Sequence, residues 1–227
     1  MKTKKNDYAK SFGVSFTLVP ENTALLIIDL QNASASRTKG LGKLLKEQGR
    51  EEEGEYRFNR IENVIVPNVQ KLLKYFRKKE LNIIFVTLGS EKDDFSDLPP
   101  DVFSIIKATD NRKGTETNEV LDEIKPFSGE LVINKTTMSA FVSTNIDSVL
   151  KKKNIKYLLC CGVSTNSCVE TTAMNAADYG YYCTLVEDAC GAAKERFHLA
   201  TIENFGRLCG RVASTEAVLE ELVNYQQ

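Results

Sequence analysis

The strongest constraint on the fold is a set of short segments that are apolar throughout rather than apolar at alternate positions. They are Ala24–Asp29 (ALLIID), Leu81–Leu88 (LNIIFVTL), Glu130–Asn134 (ELVIN), Lys156–Gly162 (KYLLCCG) and Tyr181–Glu187 (YYCTLVE). Continuous apolarity rich in β-branched residues marks strands covered on both faces, as in a parallel sheet. Gly210–Ala213 reads as a weaker sixth strand. Helical spacing fills the gaps. Val69, Leu72, Leu73 and Phe76 fall at i, i+3, i+4, i+7, with Pro67 suited to the first turn. Ile146, Val149 and Leu150 form a shorter stripe that Thr144 and Asp147 would cap as a box. Thr165–Tyr179 ends at Gly180, and Ala193–Leu208 and Thr215–Asn224 supply two more helices. Strands alternating with helices imply right-handed crossovers. The expected fold is α/β, a three-layer, doubly wound, mainly parallel six-stranded sheet with helices on both faces.

The 227 residues suit one domain of this type, and no linker or repeat divides them; residues 1–20 read as a partly flexible tail. Two stretches break the rhythm, the charged Thr38–Arg60 and the acidic, proline-containing Ser90–Asn118. They read as solvated loops and surface helices, or else as a lid over the C-terminal edge of the sheet.

Composition excludes several function classes. Thirty basic residues oppose thirty-one acidic ones, so nothing draws the chain to nucleic acid or to an anionic membrane. No apolar run reaches the roughly 18–20 residues that span a bilayer. The six cysteines lie in the last third without C-x-x-C pairing, as free thiols of a cytoplasmic protein would. One histidine, His198, with no cysteine cluster cannot build an ordinary zinc site, and neither a metal nor a cofactor is expected. On its helix His198 shares a face with Ile202 and Phe205 and reads as a packing or surface residue. No G-x-G-x-x-G follows the first strand and no P-loop is present, so phosphate-bearing cofactors have no cradle.

Ligands of open α/β sheets bind beyond the C-terminal strand ends. Three reactive side chains fall there. Asp29 closes the first strand, where desolvation would raise its pKa and suit it to proton transfer; the alternative is a capping carboxylate. Lys135 meets the end of the third strand, either snorkelling outward or paired with a thiolate or carboxylate. Cys168 lies in CGVSTNSCVETT. With Thr165 as N-cap it takes position N3, where the helix dipole would lower its pKa; a buried, inert thiol is the alternative. Together the three describe a hydrolase that needs no histidine. Lys135 favours the thiolate, Asp29 moves the proton, and the backbone N–H groups of Ser164 and Cys168 hold the oxyanion.

The motifs LLIIDLQN (Leu25–Asn32), INKTTMSAF (Ile133–Phe141) and GVSTNSCVETT (Gly162–Thr172) resemble the isochorismatase-like cysteine hydrolase superfamily over about Ala24–Val223. The resemblance implies an Asp–Lys–Cys triad on Asp29, Lys135 and Cys168, a cis peptide between Val163 and Ser164, and Phe141 lining the pocket. It also implies dimers or tetramers. The chain lacks the histidines of the nicotinamidase metal site, and Cys168 argues against the vinyl-ether reaction of true isochorismatases, which lack this cysteine. The carbamoyl and ureido branch remains, or an amidase of another branch, acting on a small amide or ureide, with Gln31, Glu91 and Asn166 as further substrate contacts. An inactive scaffold keeping the fold, or a redox sensor pairing Cys168 with Cys161 or Cys190, are the alternatives.

Overall fold

The computed structural model describes residues 12–225. Six parallel strands, β1 (Thr23–Ile28), β2 (Asn82–Leu88), β3 (Leu131–Lys135), β4 (Tyr157–Val163), β5 (Tyr182–Gly191) and β6 (Arg211–Ala213), form one sheet in the order β3-β2-β1-β4-β5-β6. Every residue of β1 is buried, which is why its sequence lacks alternation. The expected strand ends shift by a residue or more. Asp29 stands just past β1 and Lys135 is the last residue of β3 itself, while β5 runs on to Gly191.

The helices are α1 (Asn32–Ala35), α2 (Gly40–Glu47), α3 (Glu51–Arg60), α4 (Val66–Lys78), α5 (Pro100–Ala108), α6 (Ala140–Ser143), α7 (Ile146–Lys152), α8 (Glu170–Asp178), α9 (Glu195–Leu208) and α10 (Thr215–Asn224). The chain leaves β1 toward β2 and β3, then restarts on the other flank at β4. Right-handed crossovers therefore put α4 on one face and α8 and α9 on the other. In α4, Val69, Leu72, Leu73 and Phe76 are buried, each contributing about 1.5–3 kcal/mol over exposure.

Several local expectations are corrected. Pro67 does lie in the first turn of α4, but no new helix begins there, because α3, a π-type turn at Ile61–Ile65 and α4 run on without a break. The wider turn lies just ahead of the proline, where its missing N–H leaves a gap in the hydrogen-bond ladder. Thr144 and Asp147 form no capping box. Thr144 accepts from the Ile146 N–H at 3.1 Å, while Asp147 pairs with Lys151 and accepts from the Tyr181 hydroxyl. Thr165–Tyr179 is not one helix, since Ser164 is the N-cap of a π-type turn, Thr165–Val169, that leads into α8. The charged segments hold α2, α3 and α5 between loops, within the loops and surface helices expected of them. Residues 1–11 of the expected tail lie outside the described residues. Within the rest, Leu18 is buried and Phe16 packs on Tyr157 and Tyr182 at 5.8 and 5.1 Å between ring centroids, which ties this part of the tail down. No helix among the described residues is long and apolar enough to cross a membrane.

Candidate active site

The order of strand addition reverses between the parallel neighbours β1 and β4, and their C-terminal ends open a crevice there. A cavity of about 200 Å³ fills it, lined by Asp29, Arg57, Ser164 and Cys168 among polar residues and by Leu41, Leu88, Ile105 and Ile106 among apolar ones. Typical ligand pockets run to about 300–1,000 Å³, so this one suits a small molecule.

Asp29 leaves β1 with φ +54°, a left-handed backbone that side-chain-bearing residues seldom adopt. Its N–H donates to Val86 O at 2.8 Å, and the Ser34 hydroxyl donates to its carbonyl at 2.6 Å. Lys135 reaches across from β3, fully buried, and its Nζ donates to Asp29 Oδ2 at 3.0 Å. Burial works against the ammonium, yet the Asp29 carboxylate outweighs it and raises its pKa. The second carboxylate oxygen, Oδ1, is buried without a hydrogen-bond partner among the described residues.

Cys168 comes in from the turn after β4. Gly162 permits this approach, because its φ is +122° and a Cβ would collide with the Ile28 carbonyl. The Val163–Ser164 peptide is cis. Burial, then the Asp29 carboxylate, push the Cys168 thiol up to about 12, while Lys135 pulls it the other way. The pKa drop expected from a helix N-terminus is therefore corrected. The sulfur sits in a desolvated pocket beside a carboxylate and rests as a neutral thiol. Among the described residues, no acceptor faces the Ser164 N–H.

Of the remaining sequence candidates, Gln31 reaches the cavity and Glu91, Phe141 and Asn166 do not. Gln31 borders the cavity, but its Oε1 accepts from Leu88 N at 2.7 Å and its Nε2 donates to Leu88 O at 2.9 Å. This amide joins the ends of β1 and β2. Phe141 does not line the cavity, and packs on Tyr179 and Tyr181 at 5.2 and 5.8 Å. Glu91 is exposed and pairs with Lys113 at 2.8 Å, and Asn166 is exposed outside the lining. Cys161 and Cys190 direct their sulfurs to the carbonyls of Leu26 and Cys160, which leaves neither thiol turned to Cys168. All six cysteines are free. Among the described residues, no group of three or more His, Cys, Asp or Glu could hold a metal.

Two residues of the site were not singled out in the sequence. Arg57 enters from α3, nine-tenths buried, its Nε donating to Ser34 O at 3.0 Å and its Nη1 to Ser164 Oγ at 2.6 Å. Its signal was helical spacing. Arg57 precedes Ile61 and Ile65 by one and two i+4 steps, and both are buried. Arg60 bonds the Cys190 and Glu187 carbonyls at 2.8 and 3.1 Å and His198 Nε2 at 3.0 Å. A guanidinium only donates, so the other ring nitrogen of His198 carries the proton and donates to Thr165 Oγ1 at 2.9 Å. His198 thereby braces the turn that holds Cys168.

Comparison with known proteins agrees with this architecture. The chain is 28% identical over 213 residues to ureidoacrylate amidohydrolase RutB of Agrobacterium fabrum, covering 87% of this chain and 89% of the relative. It is 28% identical over 202 residues to the uncharacterized isochorismatase family protein YwoC of Bacillus subtilis, covering 89% and 95%. The fold matches a cysteine hydrolase from Pseudomonas syringae pv. phaseolicola 1448A with a TM-score of 0.76 at 22% identity, over 92% of this chain and 96% of that one. It also matches N-carbamoylsarcosine amidase from Thermoplasma acidophilum at 0.61 and 23%, over 86% and 97%. The isochorismatase domain model spans residues 23–217, and the chain accordingly belongs to the isochorismatase family.

Proposed function

We propose that the protein is a cysteine-dependent amidohydrolase that cleaves a non-peptide C–N bond in a small amide, carbamoyl or ureido compound. The observation that supports this most is that Asp29 and Cys168 line one small cavity, with the Lys135 ammonium bonded to Asp29 at 3.0 Å. Kinship with RutB amidohydrolases at 28% identity supports the same class.

In this reading the resting thiol stays protonated until substrate arrives. Asp29 takes the proton as sulfur bonds to the substrate carbonyl carbon. The oxyanion is held by the N–H groups of Ser164 and Cys168. Asp29 returns the proton to the leaving nitrogen as the C–N bond breaks, which leaves a thioester. Water then gives a proton to Asp29 and attacks the thioester, and the departing sulfur regains a proton. Lys135 stays charged throughout and holds the carboxylate in place through its 3.0 Å bond.

The test is ammonia release by the wild type and by Cys168→Ser across nicotinamide, N-carbamoyl amino acids, ureidoacrylate-type acids, biuret and simple amides. Turnover by the wild type alone is the expected result. Equal release by both proteins would remove Cys168 from the reaction, and an inactive wild type would favour a scaffold that keeps the fold.

A further inference from the structure

Charge in the cavity does not balance. Asp29 is negative but already bound by Lys135, and Cys168 is a neutral thiol. Arg57 adds a second buried cation. Burial draws its pKa down to about 10, which still leaves it charged at neutral pH. Among the described residues, no carboxylate pairs with this guanidinium and no acceptor meets its Nη2. The neighbouring walls at Leu41, Leu88, Ile105 and Ile106 offer no counter-charge. A buried guanidinium without an anion is costly, and planar carboxylates match its fork of N–H donors. The bonds to Ser34 and Ser164 hold the group in place, so little order is lost when an anion binds.

We propose that Arg57 binds a carboxylate of the substrate, so that the site takes small amide or ureide acids rather than neutral amides. This rests on the hydrolase reading for the word substrate, whereas the anion site itself can be tested without turnover. The bond from Arg57 to Ser164 puts the anchor beside the N–H groups that would hold the reacting carbonyl. In a cavity of about 200 Å³, only a few atoms fit between the carboxylate and the bond that breaks.

The test compares alkylation of Cys168 by iodoacetate and by iodoacetamide, read by peptide mass spectrometry, against free cysteine in the same buffer. In the wild type, the ratio of iodoacetate to iodoacetamide rates is expected to exceed that of free cysteine by at least about 10-fold, as a charge-assisted contact implies. Arg57→Gln is expected to return the ratio to that of free cysteine, and Arg57→Lys to keep part of the excess. Acetate or propionate, but not acetamide, is expected to protect the wild-type thiol, which tests the site without relying on a variant. A wild-type ratio at or below that of free cysteine, equal slowing of both reagents in Arg57→Gln, or no alkylation by either reagent would overturn the proposal. Equal slowing would assign Arg57 to the sulfur instead. Iodoacetate preference without ammonia release from any acid would leave the anion site standing and remove the hydrolase reading.

Discussion

Lys135 and Asp29, 106 residues apart in sequence, meet at 3.0 Å with neither side chain open to solvent. Removing one partner of a buried ion pair strands the other charge, which costs about 3–5 kcal/mol. Lys135→Met is therefore expected to lose stability on that scale in urea unfolding. The double variant Asp29→Asn/Lys135→Met should recover much of it, because no lone charge remains. Activity follows a different rule. Asp29→Asn and Lys135→Ala are each expected to lower turnover at least about 100-fold, as loss of a proton-transfer or charge-stabilising group does. Unchanged turnover in either variant would take that residue out of the mechanism.

Phe141 separates packing from recognition. Its ring is buried against Tyr179 and Tyr181 and does not border the cavity. Phe141→Ala is expected to destabilise the protein by about 3–5 kcal/mol, as aromatic truncations in cores do. KM for any substrate should stay within a few-fold of wild type at a temperature where the variant is folded. A large rise in KM with unchanged stability would return the ring to the pocket.

Stability is expected to fall on both sides of neutrality, for different groups. Burial, followed by Arg60, holds His198 down to about 4, against 6.5 for a free imidazole. The unfolded chain binds the extra proton first, so this contribution is complete above about pH 6.5 and is lost as pH falls toward 4. Buried thiols act in the opposite sense. Burial raises Cys168, Cys183 and Cys190 from 9.0 to about 12, so their contribution is complete below about pH 9 and is lost as pH rises toward 12. Melting temperatures should drop by several degrees at pH 5 and again at pH 10. In His198→Gln the acid limb should flatten while the alkaline limb stays. An acid limb unchanged in that variant would place the sensitivity elsewhere.

Much of this fold was legible because burial on both faces leaves a plain trace. LLII and LLCC have no polar alternation, so their burial on both faces of a parallel sheet could be read directly. Asp29 and Lys135 stood out because each closes such a run, and Cys168 because it lies in the turn that follows one. Arg57 was hidden by its setting, since in EEEGEYRFNR one inward-facing arginine looks like its solvated neighbours. Only by extending the stripe through Ile61 and Ile65 does it turn inward, and Pro67 suggested that the helix began later. Glu91 misled for a related reason. Its position just past β2 is near the strand ends, but Lys113 draws its carboxylate to the surface. Strand position says where a residue is anchored, and side-chain partners decide which way it points.

Lys135 belongs to β3, a five-residue strand paired on one side only, at the border of the sheet. Such borders fray first. If β3 peels away, the ammonium goes with it while the central strands stay zipped. Catalysis would then fail ahead of the molecule as a whole, with turnover collapsing at lower urea than far-ultraviolet circular dichroism. Superimposable curves for the two signals would mean that β3 and the centre melt as one unit.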